Sequence, residues 1–200
     1  MNRSRDSLLA WWGRNPSYVT TLFEASTEEE FDAALERRIE EAIAYVEANA
    51  KDLDGCNENA ISTTLAGRIE MPGMSVVREG NSNGHVDITI EVNCMLRHRK
   101  RLGEAKKHNG PKYHIEGLKQ LIDRYTTGRE RTGYVFDYVE SPGIEAKMTG
   151  IKDEMNACLP CDQAGESTDH PAQWAFTSLH NHRSGVALRV VHFGVNMCWK

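Results

Sequence analysis

The chain has 200 residues, 40% of them hydrophobic and 26% charged, and a net charge of −5 at pH 7. That length suits one domain, 1–200, with a substantial core, and the acidic balance excludes a wholly basic wrapper of nucleic acid. No apolar run nears the length of a membrane span and no signal-peptide core opens the chain, so a soluble, cytoplasmic protein without a membrane partner is expected.

Residues 1–55 read as a helical extension. Leu8, Leu9, Trp11, Trp12, Tyr18, Leu22 and Phe23 surround an Asn15-Pro16 break. They suit a short helix packed on the body, with an oligomer contact as the alternative use of the aromatics. Ser26 with Glu29 forms a capping box, and Phe31, Leu35, Ile39, Ala42 and Val46 recur at helical spacing, which predicts a helix to about Ala50. Its glutamate-rich outer face is expected in solvent and away from any nucleic acid.

Residues 56–140 carry the pattern with chemical content. A helix from near Asn57, with Ile61, Leu65, Arg68 and Ile69 as its stripe, ends before Met71-Pro72-Gly73. Ser75 to Glu79 is a short strand, and Gly80-Asn81-Ser82-Asn83-Gly84 is turn chemistry. From His85 to Val92, Val86, Ile88, Ile90 and Val92 alternate with Asp87, Thr89 and Glu91, so one face of a hairpin is polar. A basic run leads to a third strand over Leu102 to Lys107. Asn109-Gly110-Pro111 stops it, a helix through Ile115, Leu118, Ile122 and Tyr125 ends at Gly128, and Tyr134 to Val139 is the fourth strand.

Residues 141–200 read as a further helix, through Ile144, Met148, Ile151 and Met155, then a loop from about Leu159 to Pro171. Trp174 to Leu179 and Val186 to Val195 form a closing β-hairpin. The expected fold is α/β, with a mixed four-stranded sheet in an αβββαβ core flanked by helices, N-terminal helices, and a C-terminal helix and hairpin.

Glu-Ala-Lys occurs twice, at Glu104-Ala105-Lys106 and Glu145-Ala146-Lys147. On a strand, residues two apart share a face, so Glu104 and Lys106 project together. On a helix the same spacing turns the side chains apart by roughly 200°, which removes Glu145 and Lys147 as candidates. Antiparallel pairing of the two strands brings Asp87 and Glu104 to about 5 Å, close enough to share one hard cation. The competing reading is an ordinary cross-strand salt bridge on an exposed face.

GHVDITI, then GEAK, then GLKQLIDRY, on a helix-strand-strand-strand-helix-strand framework, resemble the PD-(D/E)XK nuclease superfamily over roughly residues 56–140. The resemblance implies a nuclease in which Asp87 and Glu104 hold Mg²⁺ (or Mn²⁺) and Lys106 assists hydrolysis. It further implies an acid from the preceding helix, Glu58 with Glu70 as the alternative, and a glutamine from the following helix, Gln120. Tyr125 continues the apolar stripe and is expected in the core. The polymer implied is DNA, with RNA left open, in a restriction, defence or mobile-element setting. A homodimer would let a single-site enzyme cut both strands. The alternative is a catalytically inactive nuclease-fold module that binds nucleic acid or a protein.

Arg97, Arg99, Lys100 and Arg101, with Lys107 and Lys112, are candidate phosphate contacts beside that site; a solvated hairpin tip is the plainer reading of the run. Five cysteines, Cys56, Cys94, Cys158, Cys161 and Cys198, read as reduced thiols. Cys158-Leu159-Pro160-Cys161 has zinc-knuckle spacing, but its distance from His170, His180 and His182 fits no standard pattern, and both His180 and His182 are expected in an exposed loop. Nothing resembles a Walker A loop, a dinucleotide glycine fingerprint or a Gly-x-Ser-x-Gly elbow, so nucleotide-dependent and serine-hydrolase chemistry are excluded.

Overall fold

The structure is a computed structural model that describes residues 10, 13, 17–81, 85–94 and 97–200, with backbone alone for 79–81, 85, 94 and 97. The aromatic N-terminus through Trp12, the turn residues Ser82 to Gly84 and the Arg97 side chain lie outside the described residues. Helices α1 (Ser17–Glu24), α2 (Glu28–Ala48) and α3 (Glu58–Ile69) precede strands β1 (Met74–Asn81), β2 (His85–Cys94) and β3 (Arg97–Lys107). Helix α4 (Pro111–Lys119) runs into a π-helical segment (Gln120–Tyr125), followed by β4 (Thr132–Val139) and α5 (Ile144–Cys158). The chain ends with β5 (Thr168–Asp169), β6 (Ala175–Asn181) and β7 (Ala187–Asn196). No helix among the described residues is long and apolar enough to cross a membrane.

The fold is mixed α/β, and the expected helix-strand-strand-strand-helix-strand order occurs from α3 to β4. The sheet, however, has seven strands in the order β1-β2-β3-β4-β7-β6-β5, not four. Strand β7 pairs parallel with β4, so the C-terminal hairpin extends the sheet where it was expected to stand apart. The cause is legible in β4, TGYVFDYV, where all eight residues are buried. A strand apolar on both faces must be covered above and below and flanked on both edges, which an edge strand is not. Four pairings are antiparallel and two, β3/β4 and β4/β7, are parallel.

Two cores follow from that double covering. Leu22, Phe31, Leu35, Ile39, Ile61 and Leu65 of α1 to α3 pack on Ile88, Ala105, Tyr134, Phe136 and Phe193. On the opposite face, Leu118, Leu121, Ile122, Ile151 and Met155 pack on Leu102, Val135 and Val190. The capping box of α2 is set one residue later than expected: Thr27 is the N-cap, its hydroxyl accepts from Glu30 N–H, and the Glu30 carboxylate returns to the cap backbone.

The acidic face of α2 is solvated only in part: Glu29, Glu30 and Glu41 are exposed, as expected, whereas Asp32 and Glu36 are buried. Arg101 Nε donates to Asp32 Oδ1 at 2.8 Å, Arg101 also pairs with Glu28 Oε2 at 2.6 Å, and Thr132 Oγ1 donates to Asp32 Oδ2 at 2.6 Å. Arg99 Nε reaches Glu28 Oε1 at 3.0 Å, and Glu36 pairs with Arg189 and His170. Glu28 and Asp32 of α2 and Arg99 and Arg101 of β3 are two halves of one largely buried layer of charge.

Candidate carboxylate and lysine site

Strands β2 and β3 pair antiparallel with Ile88 opposite Gly103 and Thr89 opposite Leu102. One step further along the same register places Asp87 opposite Glu104, so the two carboxylates share a face of the sheet. Gly103 and Ala105 turn toward α1 to α3, where a Cβ on Gly103 would stand 3.1 Å from the Phe136 ring. Glu104 and Lys106 therefore face α4 and the π-helical segment.

The face is largely covered. Glu104 is 1% exposed, and Lys106 Nζ donates to its Oε1 at 2.6 Å. Its other oxygen, Oε2, is buried without a partner. Asp87 Oδ2 accepts from Ala105 N–H at 2.9 Å, which ties the β2 carboxylate to the backbone between Glu104 and Lys106. Burial, and then the adjacent Asp87 charge, push the Glu104 carboxyl up to about 8, with the Lys106 ammonium opposing that shift only in part. The same carboxylates, Glu104 ahead of Glu58 and Asp87, outweigh burial at Lys106 and raise it. Two acids thus share one lysine, and the site is short of positive charge.

Glu58 stands in the first turn of α3, where its Oε2 accepts from Lys107 N–H at 2.8 Å. Glu70 caps the other end of the helix, twelve residues on and roughly 18 Å away at 1.5 Å per residue, so Glu58 is the acid that α3 brings to β3. Gln120 opens the π-helical segment and is half-buried. Tyr125, at its end, is 7% exposed as expected of a core residue. It also feels the site: burial first, then the charges of Glu104 and Asp87, raise its phenol.

Gly117 is a functional position that the sequence reading passed over. A Cβ there would stand 3.1 Å from Lys106 Cγ, 3.3 Å from Lys106 Cε and 3.4 Å from Glu104 Cγ. Glycine lets the backbone of α4 lie directly on the Glu104–Lys106 pair, and its position inside an otherwise helical pattern was the available signal.

No family model matches the chain, and neither the curated proteins nor the solved structures contain a detectable relative. The reading of the site therefore stands on its geometry.

The cationic run divides. Arg99 and Arg101 are 3% and 2% exposed and bound to Glu28 and Asp32, so they are corrected from phosphate contacts to buried partners of α2. In a strand, alternate residues face opposite layers, and only Lys100 of that trio points to the side of Glu104. Lys100 lies 3.9 Å from Glu91, Lys107 pairs with Glu140 at 2.6 Å, and Lys112 is exposed on α4.

Two expectations about histidine fail as well. His180 and His182 are 0% and 4% exposed, buried where exposure was expected: β6 extends through Asn181 and so includes His180, whereas His182 does stand in the loop after it. Cys161, beside them, is pushed up to about 11, by burial first and Asp123 next, which disfavours a thiolate. Among the described residues no three His, Cys, Asp or Glu side chains stand ready around one ion. At the carboxylate site Glu104 Oε1, Asp87 Oδ2 and Glu58 Oε2 are each engaged by a lysine or a backbone N–H. The unpartnered Glu104 Oε2 and the charge deficit are what a hard cation would fit. Clefts of about 320, 310 and 360 Å³ open elsewhere, none of them lined by Asp87, Glu104 or Lys106.

Proposed function

We propose that this protein is a metal-dependent nuclease that hydrolyses DNA phosphodiester bonds, of the PD-(D/E)XK type its motifs resemble. The observation that carries the reading is the convergence of Asp87, Glu104 and Lys106 on one face of the β2/β3 ladder, with Glu104 Oε2 buried and unpartnered. Asp87 and Glu104, with Glu58, are the residues that would hold Mg²⁺ or Mn²⁺. When bound, the cation would lower the pKa of a water and offset charge on the phosphate.

The chain's own groups have separable roles. The Asp87 charge raises the Glu104 carboxyl, so a cation held by the two would displace the Glu104 proton and offset the charge between them. Lys106, now paired with Glu104 Oε1, is the ammonium that would steady the attacking or departing oxygen. Exposed Lys112 on α4, with Lys107 and Lys100 nearer the sheet, supplies the cationic approach for the backbone.

The test is incubation of single- and double-stranded DNA with protein and Mg²⁺, beside an EDTA control and the Lys106→Ala variant. Cleavage with Mg²⁺ alone, lost in both controls, is expected. DNA left intact across those substrates, with Mn²⁺ tried as well, would overturn the enzymatic reading.

A further inference from the structure

A chain of buried polar groups crosses the sheet beside the carboxylate site and has no part in the hydrolytic reading. His114 of α4 meets Asp137 Oδ2 through Nδ1 at 3.0 Å and His192 Nδ1 through Nε2 at 2.8 Å. Ser178 Oγ lies 2.7 Å from His192 Nε2 and 2.7 Å from His180 Nε2, and His180 Nδ1 reaches the Cys161 carbonyl at 3.0 Å. His114, His192 and His180 are 0% exposed, Asp137 1% and Ser178 2%, so no solvent completes these bonds.

The hydrogens along the chain can be counted. A carbonyl only accepts, so His180 carries its hydrogen on Nδ1, and a neutral His180 accepts at Nε2. Ser178 therefore donates to His180 and accepts from His192 Nε2–H. His192 Nδ1 in turn accepts from His114 Nε2–H. Five contacts need five hydrogens, but three neutral imidazoles and one hydroxyl hold four. The fifth belongs to the contact of His114 with Asp137. Burial, and then the proximity of His114 and His180, hold His192 well below the ordinary histidine range, and burial lowers His180, so neither takes the extra proton. Asp137 is lowered despite its burial, because His108 and His114 hydrogen-bond its charged form.

We propose that this chain is a proton-retaining clamp on α4, with His114 as the positioning residue that holds Gly117 against the Glu104–Lys106 pair. The clamp rests on the geometry above; only its service to the site rests on the hydrolytic reading. His114 anchors α4 to β4 and β7 one turn before Gly117, and Asp137, its partner on β4, stands in register with Lys106 on β3. The titratable and charged groups around His114 are Asp137 on β4, His108 just beyond β3, and His192 on β7, with Lys106 in register beside Asp137 and with His180 and Asp162 beyond Ser178. From α5 the neighbours are apolar: Met148, Ile151 and Met155. Loss of the extra proton leaves one contact without a hydrogen and loosens α4.

Nitrogen-resolved imidazole NMR of the full chain tests the count. Near neutral pH, His114 should carry hydrogen on both nitrogens, His192 on Nε2 and His180 on Nδ1; a neutral His114 overturns the proposal. Ser178→Ala is the second arm, a small change with little risk to folding. It leaves three contacts for three imidazole hydrogens, so His114 should become neutral and the His192 hydrogen should move to Nδ1. A doubly protonated His114 in that variant also overturns the count. Amide exchange in α4 at one neutral pH should be about tenfold slower in the wild type than in Ser178→Ala, the effect of roughly one hydrogen bond. Equal behaviour of the two overturns the clamp. Where DNA is cleaved, kcat should fall in Ser178→Ala with KM little changed, and an unchanged kcat removes the positioning role. Uncleaved wild-type reactions sink the nuclease reading, whereas the imidazole spectra still decide the clamp.

Discussion

Asp87 and Glu104 face one another across the β2/β3 ladder, one step past the pairing of Ile88 with Gly103, and both are turned to the layer of α4. Had the register slipped by one residue, one of the two would have faced α2 instead. What holds the register is the other face. Ile88 and Ala105 pack into the core of α1 to α3, and Gly103 lies flat under Phe136. The carboxylates meet because the apolar residues between them are buried.

That proximity makes Glu104 a source of pH-dependent instability. Its folded-state carboxyl is raised from 4.5 to about 8, so the folded chain binds the proton more tightly than the unfolded chain, and stability declines as pH rises from 4.5 through 8. Glu104→Gln removes that slope. Thermal melts without divalent ions should show the variant gaining on the wild type between pH 5 and pH 8, with the gap narrowed by Mg²⁺. Parallel pH profiles would refute a strained carboxyl at this position.

Uptake of a divalent ion should expel the same proton. Below about pH 8, where the site holds Glu104 protonated, affinity for Mn²⁺ should rise by up to about tenfold per pH unit, as expected for displacement of one proton. Calorimetry in two buffers of different ionisation enthalpy reads the proton directly. Binding that is level between pH 6 and pH 8 would place the ion elsewhere.

Gly117→Ala separates packing from stability. Replacing glycine by alanine inside a helix favours it by about 1 kcal/mol, but the new Cβ would press on Lys106 Cγ at 3.1 Å and move a side chain whose ammonium is already engaged. The melting temperature should change by a few degrees at most, whereas Mg²⁺-dependent cleavage should drop by about tenfold or more, since displacement near 1 Å can cost that much. A variant as active as the wild type would show that α4 need not touch the pair.

Much of this was legible in the chain itself. Alternation in HVDITIEV and the strand setting of GEAK are short-range signals, and they carry the Asp87–Glu104–Lys106 grouping. Partners far apart in sequence were not legible. Nothing local in Asp32 indicates that it will meet Thr132, or in His114 that it will meet His192. Yet the polar residue in each buried strand was a clue: Asp137 interrupts YVFDYV and His192 interrupts VVHFGV, where a two-faced strand has no place for an unpartnered polar group. The π-helical turn at Gln120–Tyr125 left no mark on the apolar spacing, because an extra residue per turn keeps Leu121, Ile122 and Tyr125 all inward.

Acid should weaken the fold from the opposite side of the pH scale to Glu104. Burial lowers His192 and His180 from 6.5 in the folded state, so the unfolded chain takes up protons that the folded chain refuses, and stability falls as pH drops below 6.5. In the Glu104→Gln background, where the opposing slope is absent, urea unfolding at pH 7.5 and pH 5.5 should show the midpoint falling, and adding His192→Gln should reduce the difference. A midpoint that does not fall with acid would mean that these imidazoles can charge without opening the core.

Arg101 and Lys112 belong to one basic run in sequence and should behave as different kinds of residue. Arg101→Ala strands Asp32, 7% exposed, without its main counter-charge, and removal of one member of a buried pair is expected to lower stability by about 3–5 kcal/mol. Lys112 is exposed on α4, so Lys112→Ala should leave stability within about 0.5 kcal/mol. In DNA binding the order reverses. Losing one phosphate contact lowers the slope of log affinity against log salt by roughly 0.9 on duplex DNA, which Lys112→Ala should show. Arg101→Ala, assayed at a temperature where it remains folded, should keep the wild-type slope. A reduced slope in Arg101→Ala alone would mean that α2 lifts from β3 when nucleic acid binds.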